Sequence, residues 1–133
     1  MDTMKVIIMV VTIAGGMVGM SWAGEKTCCD RAGERYLQAL NSENGGVRDS
    51  ALLQLMKMKM VYPDYDYTRI IRKIEKMSQH DKKIYIRTHA YLARIFMQNP
   101  DMIGKVTPQK YRTPEPFFNA LYDYIASTQL VMN

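Results

Sequence analysis

A chain of 133 residues, 47% hydrophobic and 23% charged, supplies apolar surface for one domain and not for two. Its 18 basic and 13 acidic residues leave a formal charge of +5, a mild excess. Two cysteines, adjacent at Cys28 and Cys29, exclude the dense disulfide scaffold that holds many small secreted domains together.

The first 23 residues read as a secretory signal peptide. Lys5 gives the positive charge, residues 6–14 are an apolar run, glycines follow, and Ser21-Trp22-Ala23 is a small-x-small cleavage site. Met4-Lys5 is a more usual start for such a segment than Met1-Asp2. Residues 6–23 barely reach across a bilayer, and Gly15, Gly16 and Gly19 weaken them as a helix. Cleavage after Ala23 is therefore expected over retention as a membrane anchor. The mature chain would begin at Gly24, run 110 residues and act in the periplasm or outside the cell. An exported, mildly basic protein suits another protein or an anionic surface as partner, not nucleic acid. Membrane contact is expected only through the N-terminal segment, if it is kept. Gly24 follows the cut where a lipoprotein would need cysteine. Cys28 and Cys29 read as small half-buried residues at a helix start. The alternative is soft-metal binding, since thiolates select copper(I).

Five helices follow from the periodicity. The first spans about residues 30–41, with Tyr36, Leu37 and Leu40 on its apolar face, and the turn residues Ser42 to Gly46 end it. Asn44 is the expected N-cap of the second, about 46–61. There Val47, Ala51, Leu55 and Met58 make one apolar face, widened by Leu52, Leu53, Met56 and Met60 into that of a helix packed on more than one side. Tyr62-Pro63 stops it. The third spans about 67–78 behind Asp66 as cap, with Ile70, Ile71, Ile74 and Met77 as its core stripe. Arg69, Arg72, Lys73 and Lys76 share the opposite face. After a short link in which Asp81 can cap, the fourth spans about 82–98 and is again two-sided. Ile86, Ala90, Ala93 and Met97 face one way, and Tyr91, Leu92, Ile95 and Phe96 the other. Asn99-Pro100 ends it through a residue that tolerates left-handed backbone. Residues 99–113 read as irregular. The fifth spans about 114–130 from Thr113-Pro114, with Phe117, Phe118, Leu121, Tyr122 and Ile125 as its apolar face.

An internal echo runs through these helices. Val47-Arg48…Ala51…Leu53 returns 39 residues on as Ile86-Arg87…Ala90…Leu92. On this apolar-Arg-x-x-Ala pattern, over about residues 34–130, the chain resembles HEAT-repeat proteins, and in particular small exported HEAT-like proteins of Bacteroidetes-type bacteria. The resemblance implies an all-α fold, a short HEAT-like array of about five helices. With only two helix pairs and a closing helix, a compact helical bundle is the alternative. It also implies that Ala51 and Ala90 sit where paired helices approach closely. Arg48 and Arg87 would then tie helix starts to acids or carbonyls of the neighbouring unit.

Catalytic and metal constellations are thin. His80 and His89 lack a third ligand at metal spacing, so His89 reads as a surface or satisfied residue. Asp64 and Asp66 lie in one turn but lack the glycine and terminal glutamate of a calcium loop, and helix capping explains Asp66. Met56, Met58 and Met60 could add thioethers to a copper site, but Lys57 and Lys59 would repel a cation. No phosphate loop, Ser-His-Asp set or Cys-His pair is visible. The best binding candidate is the basic face Arg69, Arg72, Lys73 and Lys76, with Lys82 and Lys83 nearby. The expected function is a non-enzymatic protein-interaction or scaffold module, with no cofactor. The alternative is a copper-binding protein using Cys28 and Cys29.

Overall fold

The computed structural model describes residues 28–132, and the signal-peptide expectation lies outside them. Every regular element among these residues is helical, so the all-α expectation holds. No helix among them is long and apolar enough to cross a membrane. The described residues fall into two units, divided between residue 33 and Glu34. Of the first, residues 28–33 are described and helical. The second carries the fold set out below.

Residues 28–40 form α1, which buries Leu40 at its end. The turn into α2 (Gly45–Val61) is closed by side chains. Ser42 Oγ accepts from the Asn44 amide at 3.1 Å. Asn44 Oδ1 then accepts from the Gly46 and Val47 amides at 2.9 and 3.3 Å. Asn44 is thus the N-cap, satisfying two of the donors that open a helix. α2 is an inner helix. Ala51, Leu52, Leu53, Leu55, Met56 and Met58 are all buried, which no single stripe allows. Val47 departs from the expectation. It is 42% exposed, whereas its echo Ile86 is fully buried; in the first turn of α2 it is Gly45, under the Lys83 side chain, that is covered.

Tyr67 closes the link to α3 (Thr68–His80), donating its hydroxyl to the Tyr62 carbonyl at 2.7 Å. Asp66 Oδ1 accepts from the Thr68 amide and hydroxyl at 3.0 and 2.6 Å. α3 is one-sided, with Ile70, Ile74 and Met77 inward. It packs most extensively on α4 (Ile84–Gln98), the second inner helix, which also touches α2 and α6. Ala90 and Ala93 are fully buried there, small enough for neighbouring backbones to come close. Tyr91, expected on an apolar face, is 50% exposed and lies under the Arg94 guanidinium.

Asn99 ends α4 in extended backbone at φ −124°, not in the left-handed region, and its side-chain amide donates to the Ile95 carbonyl at 2.7 Å. That amide replaces the left-handed turn as the partner of a terminal carbonyl. The stretch expected to be irregular holds one α-turn, α5 (Pro100–Ile103), and a 3₁₀ turn, Pro108–Lys110. Gln109 Nε2 donates to the Lys57 carbonyl at 3.1 Å and ties this stretch to α2. α6 (Pro114–Met132) starts at the proline and closes the core with Phe117, Phe118 and Leu121. Phe117 meets Phe96 edge-to-face at 5.8 Å. Tyr122, expected inward, is 58% exposed.

Candidate functional site

The two echoed arginines converge on one residue. Arg48, in the first turn of α2, grips Asp81 with both sides of its guanidinium. Nε donates to Oδ2 at 2.8 Å and Nη2 to Oδ1 at 2.9 Å. Its Nη1 donates to the Ser42 and Glu43 carbonyls at 2.9 and 3.1 Å. Arg87, in the first turn of α4, donates to the Asp81 carbonyl at 3.0 Å. Asp81 Oδ1 also accepts the Lys83 amide at 3.0 Å, but this bond closes the link and does not cap α4, which begins later than expected, at Ile84, with Lys83 as its N-cap and no side-chain cap. One aspartate therefore ends α3, fixes the link to α4 and holds α2 to both. The side chains of Arg48 and Asp81 are only 11% and 5% exposed. Burial alone would push the Asp81 carboxyl up. Its bonds to Arg48 and the Lys83 amide, with the charges of Arg48 and Arg87, outweigh burial and hold it below the usual carboxylate range. The Arg48 guanidinium is raised in turn, chiefly by its hydrogen bonds to Asp81.

This ion pair forms the floor of a recess of about 590 Å³. Its rim carries Lys73 and Lys76 from α3, His80 at the end of α3, and Lys82 and Lys83 from the link. None of the four lysines forms an ion pair among the described residues, and only Glu43 on the rim opposes them. With Arg48 and Asp81 cancelling, the lining has a formal surplus of three positive charges. Ammonium groups converging on a concave surface raise the local concentration of anions.

The basic stripe read from the sequence is thereby divided. Lys73 and Lys76 line the recess, while Arg69 and Arg72 do not. Arg69 pairs with Glu34 of α1 at 2.5 Å on an open surface. Arg72 stands near Asp66, whose carboxyl is held below its ordinary range first by the Thr68 hydroxyl and amide, then by Arg72. The four residues share one face in angle, but they spread along the axis of α3. Only the half near the end of that helix meets the link. His80 and Arg48 join the site, and only the tertiary fold brings them there.

A second recess of about 590 Å³ lies beside a buried Asp–His pair. Asp49 Oδ1 is 2.7 Å from His89 Nδ1, and both side chains are about a tenth exposed. The Phe118 ring stacks on the imidazole at 4.4 Å and 18°, and Tyr85 meets it edge-on. His89 is thus a satisfied core histidine. An aspartate orienting an imidazole is two-thirds of a nucleophilic triad. Among the described residues no hydroxyl or thiol is hydrogen-bonded to the ring's other nitrogen.

For the soft-metal alternative, Cys28 is exposed and Cys29 half-buried, Met56 and Met58 lie in the core, and Met60 is half-buried. A thioether in the core is out of reach of an ion unless the helices part. No group of three His, Cys, Asp or Glu side chains placed to hold a metal occurs among the described residues. Compared with protein-family models, curated proteins and solved structures, the chain matches none.

Proposed function

We propose that this protein is a non-enzymatic interaction module that docks an anionic partner in the recess at the start of α2 and α4. One observation carries the reading: Lys73, Lys76, Lys82 and Lys83 converge, without ion-pair partners among the described residues, over a floor already neutralised by Arg48 and Asp81. A fixed floor under mobile ammonium groups suits a multiply charged anion better than a single planar carboxylate, which the forked guanidinium would bind more selectively. The HEAT-like reading belongs to this proposal. It is supported by Arg48 and Arg87 closing on the same aspartate and by the burial of Ala51 and Ala90. A module acting outside the cytoplasm is part of the same proposal, supported by the signal-like pattern of the first 23 residues.

The test is titration of the protein with short inorganic polyphosphate at low and high salt. Lys73→Glu with Lys76→Glu is expected to weaken binding about tenfold or more, and high salt to weaken it in the parent. Arg69→Glu, outside the recess and already paired with Glu34, is expected to change it little. Equal losses from Arg69→Glu and the recess pair would overturn the assignment.

A further inference from the structure

The chain leaves the recess at Lys83 and passes at once to exposed apolar residues. Ile84, directly after Lys82 and Lys83, is 71% exposed, the highest value for any large hydrophobic side chain described. Tyr85 beside it is 44% exposed and Val47 42%. All three belong to the first turns of α2 and α4, two helices that pack on each other. The stem of Lys83 runs so close over Gly45 that a Cβ there would stand 2.9 Å from Lys83 Cδ. Arg48 and Asp81 lock the same two helix starts together. Lys83 also stands 5.9 Å from the Tyr85 ring centre, so cation and aromatic ring are presented together.

The fold does not require this arrangement. Ile86 and Ala90 already supply the inward positions of α4, and Ile84 adds no core contact at its level of exposure. An isolated exposed apolar residue needs no explanation. An isoleucine that directly follows two of the recess lysines does, because a soluble polyanion gives it nothing to bury against; Tyr85, on the side of α4 that lines the second recess with Glu115, still meets Lys83. A bilayer surface gives the isoleucine that burial. Its acyl boundary takes apolar side chains, its headgroup level favours tyrosine, and its phosphates attract lysines on long apolar stems.

We infer that the occupant of the recess is an anionic lipid bilayer, with a headgroup phosphate among Lys73, Lys76, Lys82 and Lys83 and with Ile84 inserted at the acyl boundary. This rests on the anion-docking reading above and narrows it. It adds a membrane contact that the sequence reading confined to the N-terminal segment. Neither part works alone: a few exposed lysines bind a surface weakly and reversibly, and one isoleucine gives too little apolar area.

The test uses the full chain carrying Ile84→Trp, with Trp22→Phe to leave one indole, mixed with vesicles of phosphatidylglycerol and phosphatidylcholine or of phosphatidylcholine alone. A blue-shifted emission on the anionic vesicles only, quenched by brominated acyl chains, is the expected result. Lys82→Glu with Lys83→Glu in the same background is expected to weaken vesicle binding by more than tenfold, at roughly fivefold per lysine removed. An unshifted indole on anionic vesicles overturns the inference. So does a shift that survives the charge reversal or appears equally on phosphatidylcholine, since the lysines would then contribute nothing to the contact. Polyphosphate separates the two readings. If it binds in a recess-dependent way while the indole stays unshifted, anion docking stands and the membrane assignment falls. If neither ligand engages the recess, both fall.

Discussion

Replacing Asp81 by alanine would strip three helices of their common fastening. Arg48 would keep only the Ser42 and Glu43 carbonyls as acceptors, with its side chain still 11% exposed. Removing one partner from a fully buried ion pair costs about 3–5 kcal/mol. Here the pair is open to the recess on one side, so about 3 kcal/mol is the appropriate figure, and the lost bond to the Lys83 amide adds up to about 1 kcal/mol. Asp81→Asn keeps an acceptor for that amide and one for Arg48, and about 2 kcal/mol is expected from the lost charge alone. Urea unfolding followed by circular dichroism at neutral pH measures both. At about 4 °C or more per kcal/mol, the alanine variant should melt at least ~12 °C lower. The pH dependence carries a definite sign. A carboxyl held below its unfolded value stabilises the fold above that unfolded value, and the stabilisation disappears as pH falls through the folded one. The parent should therefore lose stability on acidification below the ordinary carboxylate range, and Asp81→Asn should lose less over the same interval. An alanine variant costing under about 1 kcal/mol, the worth of an ordinary surface pair, would refute the fastening role.

Two further outcomes test the core. Ala90→Leu inserts volume at a fully buried position of α4 and should cost about 1–3 kcal/mol by urea unfolding. A neutral result would mean that the helices do not approach closely there. His89→Leu leaves the Asp49 carboxylate buried without its partner and should cost about 3 kcal/mol, whereas adding Asp49→Leu should recover much of the loss. A double variant as unstable as the single one would show that the polar pair itself is required.

Much of the helical framework was legible because local chemistry announces it. Asn44 before an apolar run, Pro63, Pro100 and Pro114 each act on backbone within a turn, and the helices start or stop at them. The exposure of Val47, Tyr91 and Tyr122 was not legible, since an apolar residue at helical spacing registers as core whether or not another helix arrives to cover it. Asn99 ended α4 as expected by a different device, a side-chain hydrogen bond in extended backbone, which composition does not distinguish from a left-handed turn. The candidate site was half legible. Lys73, Lys76, Lys82 and Lys83 stand out as a charge run, but local spacing could not reveal that Arg48 and His80 join them or that Arg69 is turned toward Glu34. The Asp49–His89 pair spans 40 residues and leaves no local trace.

The methionines of the core have a different bearing on the life of the molecule. Met56, Met58, Met77 and Met97 are each no more than 7% exposed. Their flexible thioethers fill irregular space between helices well, yet each is a target for peroxide once wetted. In the oxidising compartment proposed for this protein, the closed fold is the shield. Every opening exposes sulfur that returns as a polar sulfoxide too ill-suited to repack. Chemical ageing would then be set by how often the helices part, and the Arg48–Asp81 clasp would act as a guard against oxidative damage.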